Sequence, residues 1–340
     1  MSSAELAIGV RTGVAPAGVA QALWGDRAIV KTWAMRGTLH LLAADELPIW
    51  VAALRYKEQK TRRGPAWERY HGVSVEQLTT MTKVVAEVLA GDPRTREEVA
   101  SAVVKATGEP AFGAALRSGW GVILKSSAAR GDLIFGPDRG RNVTFVDPRR
   151  WLNGRWEEPD PEKALDFVIH RFLDAYGPAT GEDFGHWWGV PPAEGKRLLR
   201  SFSSGLEEVD LGGSAAWVTR SGAEGLSRSP APSKHVRLLP AFDTYVFAPR
   251  SHRGHTWPEG MHSRISRTAG WISPALIVDG GVAGVWSYER VGNSVRVEIE
   301  TLRPTAAWIN AAAESHVRFY EGLWNAPAEV EWVEQLGASS

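Results

Sequence analysis

The stretch DLIFGPDRGRNVTFVD, residues 132–147, decides the fold. Apolar and polar residues alternate on either side of a turn at Pro137–Gly140, which predicts two strands joined as a hairpin. Arg139 and Arg141 flank Gly140 at this turn, where side chains extend away from the body of a domain. The hairpin is therefore predicted to carry positive charge at its tip.

Three predicted helices come before this hairpin. Residues 75–91 place apolar side chains at helical intervals. A second helix runs from Thr95 to Gly108 with two glutamates in its first turn, where acids complement the helix dipole. The third helix is predicted over residues 113–129. This order is that of a winged helix-turn-helix, with the third helix as recognition helix and residues 138–141 as the wing tip.

The same order recurs downstream. An amphipathic helix is predicted over residues 161–176, and a short helix follows with Thr180 as its N-cap. Residues 191–205 begin with two prolines and predict another helix. Residues 206–220 then predict a strand, a Gly-Gly turn and a second strand. We therefore predict two winged helices in tandem.

The last third of the chain is rich in strand signals. It follows residues 221–234, whose Ser, Gly and Pro content predicts a linker. Apolar runs at 236–249, 270–290 and 294–302 predict a small sheet or barrel. A helix is predicted over residues 306–323, close to the end of the chain.

Together these elements predict an α+β chain of tandem winged helix-turn-helix domains, followed by a small β-rich domain and a C-terminal helix. Residues 1–72 are predicted to form an incomplete N-terminal winged-helix-like domain. Residues 73–155 and 156–225 are the two predicted winged helices, and 235–325 is the predicted β-rich domain. The tail 329–334 is predicted only to be acidic.

Composition limits the classes of function. None of the 340 residues is cysteine, which excludes disulfides, thiolate metal sites and cysteine nucleophiles and fits a cytoplasmic protein. No signal peptide and no run of about 20 apolar residues is recognisable, so no membrane association is expected. The 39 basic and 39 acidic residues cancel, so only a local basic face would indicate nucleic acid.

A second stretch, TWAMRGTLHLL at residues 32–42, places polar side chains inside an apolar segment. In an extended strand Arg36, Thr38 and His40 would point to one side, with leucines on the other. One interpretation turns this polar face toward DNA. The other makes it an Arg–acid pair and a hydrogen-bonded histidine that join two domains.

Three segments resemble a known family. They are DRAIVKTWAMRGTLHLLAADEL at 26–47, with its Met35–His40 core, LLPAFDTYVFAPR at Leu238–Arg250, and GWISPALIVDGGVAGVW at Gly270–Trp286. They resemble winged-helix DNA-binding proteins of the AlkZ type, which include bacterial DNA glycosylases that excise bulky alkylated bases and unhook interstrand crosslinks. The resemblance spans most of residues 1–325. It implies tandem winged helices arranged as a C around duplex DNA and closed by a β domain.

The resemblance also implies catalysis by a Gln-apolar-Gln or Gln-apolar-Asp motif, which positions a water and stabilises the oxocarbenium-like sugar. In the family this motif lies just before the segment that matches SSAELAIGVRTG, residues 2–13. Gln21 and Gln59 do not fit the motif, so no catalytic residue is carried over and the motif is expected upstream of Met1. Genomic DNA that encodes the motif in frame there would favour an enzyme, and a stop codon would favour a non-catalytic protein.

The candidate DNA contacts are basic and polar side chains in the stretch 32–42, in the first predicted winged helix and in the basic stretch 248–267. They are Arg36, Thr38, His40, Lys125, Arg139, Arg141, Arg250, Arg253, Arg264 and Arg267. Such side chains bind phosphates in many proteins, although a solvated surface is the alternative for each element. By the resemblance, Asp243 is a candidate for organising the DNA cleft, whereas a buried Asp otherwise caps a turn or pairs with an arginine.

No metal or other cofactor is predicted. His252, His255 and His262 occur close together, but no acid or cysteine joins them at the spacing of a metal site.

Three functions are compatible with these residues. The first is a monofunctional DNA glycosylase acting on alkylated purines, whose cationic base is already a good leaving group. The second is a non-enzymatic DNA-binding protein, such as a regulator or a damage binder. The third is an interaction scaffold that does not bind DNA. The first two take double-stranded DNA as partner, alkylated in the first case, and a monomer is expected.

Overall fold

The computed structural model describes residues 2–61, 63–117, 121–228, 234–247, 249–301 and 303–334. The chain divides into two compact units. The terminal unit comprises Met1–Val19, Leu173–Phe184 and Ser203–Ser340, and the central unit comprises Ala20–Phe172 and Gly185–Phe202. Each unit is built from segments that are distant in the sequence.

The described helices, in chain order, are α1 (Ser3–Thr12), α2 (Pro16–Ala20), α3 (Leu47–Lys60), α4 (Pro65–His71), α5 (Val75–Leu89), α6 (Arg96–Thr107), α7 (Pro110–Arg117), α8 (Val122–Ala129), α9 (Pro148–Trp151), α10 (Pro161–Tyr176), α11 (Gly181–Trp188), α12 (Pro192–Ser201), α13 (Arg220–Arg228), α14 (Arg253–Thr256), α15 (His262–Ile265) and α16 (Ala307–Trp324). The described strands are β1 (Ile29–Ala34), β2 (Thr38–Ala43), β3 (Arg94–Thr95), β4 (Ile134–Arg139), β5 (Asn142–Val146), β6 (Leu206–Leu211), β7 (Ser214–Thr219), β8 (Val236–Leu239), β9 (Ala275–Val278), β10 (Gly281–Val291), β11 (Ser294–Thr301) and β12 (Ala328–Glu334).

In the central unit, the helices α5 to α8 pack against a small antiparallel sheet in the strand order β3-β5-β4. Ser74 and Thr95 begin α5 and α6 with capping boxes, because each side chain accepts a backbone N–H three residues on. The core between them is apolar and fully buried, with Met81, Val85 and Phe145 at its centre. The predicted hairpin at 132–147 is confirmed as β4 and β5.

The prediction of one continuous helix over 113–129 is wrong. The structure has α7 and α8 in its place, and residues 118–120 between them lie outside the described residues. Gly121 precedes α8 with a φ of 70°, a left-handed conformation that cannot continue a right-handed helix. The helical spacing of apolar residues continues across this break, so periodicity alone did not reveal it.

The prediction of a strand over residues 32–42 is also wrong. The segment forms the hairpin β1–β2, in which Thr32 pairs with His40 and Ala34 with Thr38. Met35 and Gly37 take positive φ values of 47° and 75°, so the chain reverses at Met35–Gly37. Arg36 therefore lies in the turn and does not share a strand face with Thr38 and His40.

In the terminal unit, a five-stranded sheet in the order β12-β11-β10-β9-β8 packs against α16 and α1. Val297, Ile299 and Tyr320 are among the buried residues of this core. The strand predicted over 236–249 ends at Leu239, because the following residues form hydrogen-bonded turns. The acidic tail forms β12, which pairs in parallel with Val295–Thr301 of β11.

The predicted linker at 221–234 is helical in its first part. Thr219 accepts the Gly222 N–H through its side chain at 3.2 Å and so begins α13. The rest of the predicted linker, residues 229–233, lies outside the described residues. Before it, α10, α11 and α12 confirm the three predicted helices, and β6–β7 turns at Gly212–Gly213 as predicted.

Among the described residues, no single helix is both long and apolar enough to cross a membrane. The helical segments Ser3–Thr12 and Pro16–Gly25, which are bent relative to each other, reach that length and apolar character only when they are taken together.

Candidate nucleic-acid interface

The turn at Met35–Gly37 is held by a group of basic side chains in the central unit, here called the turn cluster: Arg36, Lys57, Lys125 and His186. The Arg36 guanidinium donates to His186 Nε2 at 3.1 Å. Lys57, on α3, donates to the carbonyl oxygen of Met35 and to that of Trp188, the latter at 2.9 Å. The turn is therefore tied to α3 and to the last residues of α11.

Burial changes the acid–base behaviour of Lys57. It lowers the pKa of Lys57 to about 8, the positive charge of Arg36 acts in the same direction, and Glu58 opposes them. Lys57 is still mainly protonated at pH 7, and its ammonium lies 4.9 Å from the centre of the Trp188 ring. Part of the positive charge at this turn is thus internal and serves to hold the backbone.

Two glycines allow the close packing of the turn cluster. A Cβ atom at Gly37 would lie 3.2 Å from Cδ of Lys125, so the Lys125 side chain runs directly over the turn. Burial lowers the pKa of Lys125. A Cβ atom at Gly189, where φ is 81°, would lie 2.9 Å from Cγ of Arg36. Lys125 thus packs against Gly37 of the turn, and Arg36 packs against Gly189 after α11.

Strand β2 presents Thr38 and Leu39 to solvent next to this turn. His40 Nδ1 lies 2.9 Å from the Thr38 carbonyl oxygen, and since a carbonyl only accepts, Nδ1 carries the proton. Burial lowers the pKa of His40, and nearby Arg36 lowers it further against the effect of this hydrogen bond. At neutral pH His40 is therefore an uncharged ring whose Nε2 is an acceptor.

The two arginines at the tip of the β4–β5 hairpin have different surroundings. Arg139 donates to Glu98 and to the carbonyl oxygen of Pro93, both at 2.6 Å. Arg141 is exposed beyond the turn. Arg139 is thus engaged in fixing the hairpin to α6, and Arg141 is the arginine more accessible to a phosphate.

A basic helix face that the sequence analysis did not select lies on α12. Lys196, Arg197 and Arg200 line a groove of about 470 Å³ beside this helix. Arg197 is paired with Glu194 by two hydrogen bonds of 2.8 and 2.6 Å. Arg200 follows Lys196 by four residues and Arg197 by three, spacings that place side chains on one helical face and were visible in the sequence.

In the terminal unit, Asp243 is fully buried and pairs with Arg11 of α1. Both guanidinium nitrogens donate to the carboxylate at 2.8 Å, and the Tyr245 N–H donates to it at 2.9 Å. The carboxylate thus accepts three N–H groups and joins α1 to the turn that follows β8. The sequence analysis allowed a buried Asp either to cap a turn or to pair with an arginine, and Asp243 does both.

The four arginines predicted after residue 249 lie in short helical segments and the turns beside them. Arg264 pairs with Glu300 at 2.9 Å, and the Arg253 guanidinium lies 4.4 Å from the centre of the Trp257 ring. Arg250 and Arg267 are exposed. Arg264 and Arg267 also line a cavity of about 500 Å³.

His252 and the adjacent Ser251 have structural contacts. His252 Nε2 lies 2.7 Å from the Pro178 carbonyl oxygen, and Ser251 donates to the buried Asp183 at 2.6 Å. Within the part of the chain that the structure describes, no three His, Asp or Glu side chains are grouped so that they could hold a metal ion.

Comparison with known proteins defines the class. The family model described as "DNA glycosylase AlkZ-like" matches residues 1–321, and the chain belongs to this AlkZ-like family. The chain is 38% identical over 265 residues to an interstrand DNA cross-link repair glycosylase of Streptomyces sahachiroi, an overlap of 77% of this chain and 71% of that protein. The solved structure of Streptomyces sahachiroi DNA glycosylase AlkZ superposes with a TM-score of 0.85 at 32% identity, covering 97% of this chain and 89% of that one. The mixed helix and sheet architecture described above is thus shared with AlkZ.

Proposed function

We propose that this protein is a DNA glycosylase that binds double-stranded DNA and removes bulky alkylated purines, including those in interstrand crosslinks. The observation that carries the proposal is the turn cluster, where the Lys125 side chain lies over the Met35–Gly37 turn that carries Arg36, in a chain of a DNA glycosylase family. Cationic side chains at a glycine turn suit the phosphate backbone of DNA.

Two tandem winged helices are part of this proposal. Helices α5 to α8, together with the sheet β3-β5-β4, support the first winged helix, over residues 73–155. The order α10, α11, α12 and then β6–β7 supports the second, over 156–225. The basic face of α12 then lies on the third helix of its domain, the position of a recognition helix. Residues 1–72 and 235–325 would be the two flanking domains.

The chemistry needs little acid–base help. An N7-alkylated purine carries a positive charge, so its bond to the sugar breaks with the electron pair leaving on the base. Water then adds its oxygen to C1′ of the sugar and releases a proton. The protein must hold the damaged strand, stabilise the cationic sugar and position that water. We propose that it does so as a monomer in the cytoplasm, in keeping with a chain without cysteine.

The proposal is tested on a duplex that contains one N7-methylguanine. Incubation with the protein should release the free base and leave an abasic site that alkali converts to a strand break. The same duplex with guanine is the control. Salt-dependent binding without excision would identify a non-catalytic DNA-binding protein. Absence of duplex binding even at low salt would identify a scaffold and contradict the proposal.

A further inference from the structure

Phe242, in the terminal unit, has a backbone that phenylalanine rarely adopts. Its φ is 58°, in the left-handed region where bulky side chains are strained. Phe242 is nevertheless 47% exposed to solvent, so burial does not offset this strain. Strained residues that the surroundings keep in place are concentrated at functional sites.

The surroundings of Phe242 maintain this conformation. The Phe242 N–H donates to the Ile272 carbonyl oxygen at 3.2 Å. The next residue is Asp243, which is held by both guanidinium nitrogens of Arg11 and by the Tyr245 N–H. The turn is thus fixed by an ion pair whose carboxylate is buried, and Phe242 remains exposed to solvent.

A second exposed aromatic side chain contacts this ring. Trp271 is 46% exposed, and its ring centre lies 4.8 Å from that of Phe242 at an interplanar angle of 73°. Two large apolar rings in edge-to-face contact, each half-exposed, leave aromatic faces open to solvent. Such a pair is suited to a flat ligand that stacks on one of these faces.

The cavity beside Trp271 is lined by both acidic and basic side chains. It is lined by Arg264, Arg267, Glu298 and Glu300, and Arg264 is paired with Glu300. A phosphate would require an excess of positive charge. A nucleobase, which has hydrogen-bond donors and acceptors on one edge, matches a surface that offers both signs.

We propose that Phe242 and Trp271 form a stacking site for a nucleobase that is exposed where a DNA duplex is distorted. Asp243 is a positioning residue, which acts by holding Phe242 in its outward conformation. This inference rests on the proposed function, because it takes DNA to be the partner. It adds a contact that recognises distortion of the duplex, in addition to contacts with the phosphate backbone.

The test compares two fluorescent duplexes of equal length, one fully paired and one with a single bulged nucleotide. Wild-type protein should bind the bulged duplex more tightly at the same salt concentration. Phe242→Ala and Trp271→Ala should each weaken binding to the bulged duplex by about tenfold, the usual effect of losing one base–aromatic stack. Affinity for the paired duplex should change by less than about twofold. Tyr70→Ala, which removes another exposed aromatic ring, is the matched control and should change neither affinity.

Phe242→Gly separates stacking from damage to the fold. Glycine accepts the φ of 58°, so this variant should keep or raise the melting temperature while it loses the preference for the bulged duplex. Asp243→Asn should lower that preference, with a smaller loss for the paired duplex.

The inference is wrong if wild type binds both duplexes equally, or if Phe242→Gly keeps the full preference. It is also wrong if the substitutions alter the oligomeric state and leave DNA affinity unchanged, since the rings would then contact another protein chain. Absence of all duplex binding by wild type would instead contradict the proposed function together with this inference.

Discussion

At Lys57, one ammonium group donates to the carbonyl oxygens of Met35 and Trp188, and so ties a hairpin turn to the end of a helix. Its sequence context, LRYKEQK, is that of an ordinary surface helix with alternating charges. The helix turns Lys57 inward toward two carbonyl groups that are far apart in the chain. Its role depends on those partners, which no local pattern reveals.

Replacement of Lys57 by methionine should lower the free energy of unfolding by about 2 kcal/mol, because two carbonyl oxygens lose their donor. Lys105→Met, at an exposed position of α6, should change it by less than about 0.5 kcal/mol. Urea denaturation of both variants measures the difference. Equal effects at the two positions would show that Lys57 does not hold the turn.

His316, on α16, gives a prediction for the dependence of stability on pH. Burial lowers its pKa to about 4, and the charge of Arg237 lowers it further. Below about pH 6.5 the unfolded chain binds a proton at this ring, whereas the folded chain does so only near pH 4. Its contribution to stability is therefore present above pH 6.5 and lost as the pH falls.

The free energy of unfolding should accordingly decrease by about 2 kcal/mol between pH 7 and pH 5 through this group. His316→Leu should remove that part of the decrease, which denaturation at the two pH values would show. His255→Leu, at an exposed histidine, is the control. An unchanged pH dependence in His316→Leu would mean that the pKa of the ring is the same in the folded and the unfolded chain.

At the scale of elements, glycines and caps decide where helices and strands end. Ser74 and Thr95 were recognisable helix starts, because a capping box needs only residues three apart. Thr219 begins α13 by accepting the Gly222 N–H, but Gly222 has no side chain to complete a capping box, and the surrounding Ser, Gly and Pro residues favoured a linker. The β1–β2 hairpin was missed because a positive φ at Met35, a residue that is not glycine, has no sequence signal.

The β4–β5 hairpin provides a prediction about DNA contacts. Substitution of both Arg139 and Arg141 by alanine should weaken binding to duplexes of any sequence. It should also reduce the slope of the logarithm of the binding constant against the logarithm of the salt concentration. Arg141→Ala alone should account for most of the change in slope, by about one, because Arg139 is already paired with Glu98.

Arg228→Ala is a matched control for these variants, since this arginine is exposed and paired with Glu224. Electrophoretic mobility shifts at several salt concentrations would give the slopes. A slope that does not change in the double variant would argue against the hairpin tip as a phosphate contact.

At the scale of the whole molecule, equal numbers of acidic and basic residues conceal local charge. The turn cluster and the α12 groove gather cations, while acids are concentrated elsewhere, as in β12. Affinity for duplex DNA should therefore fall as the salt concentration rises, although the net charge is zero. A plot of the logarithm of the binding constant against the logarithm of the salt concentration should have a slope of about −0.9 for each phosphate contact. Affinity that is independent of salt would contradict a phosphate-binding surface.

The sequence by itself determined most of the helices, the β4–β5 and β6–β7 hairpins, the absence of cysteine chemistry and the family resemblance, because periodicity, caps, glycine turns and composition act over a few residues. Only the tertiary structure decided the state of particular side chains. Lys57 became an internal donor, His40 became neutral, and Asp243 paired with Arg11 from the opposite end of the chain. Burial and partner charges set the energies of these groups, and both arise only when distant segments pack together.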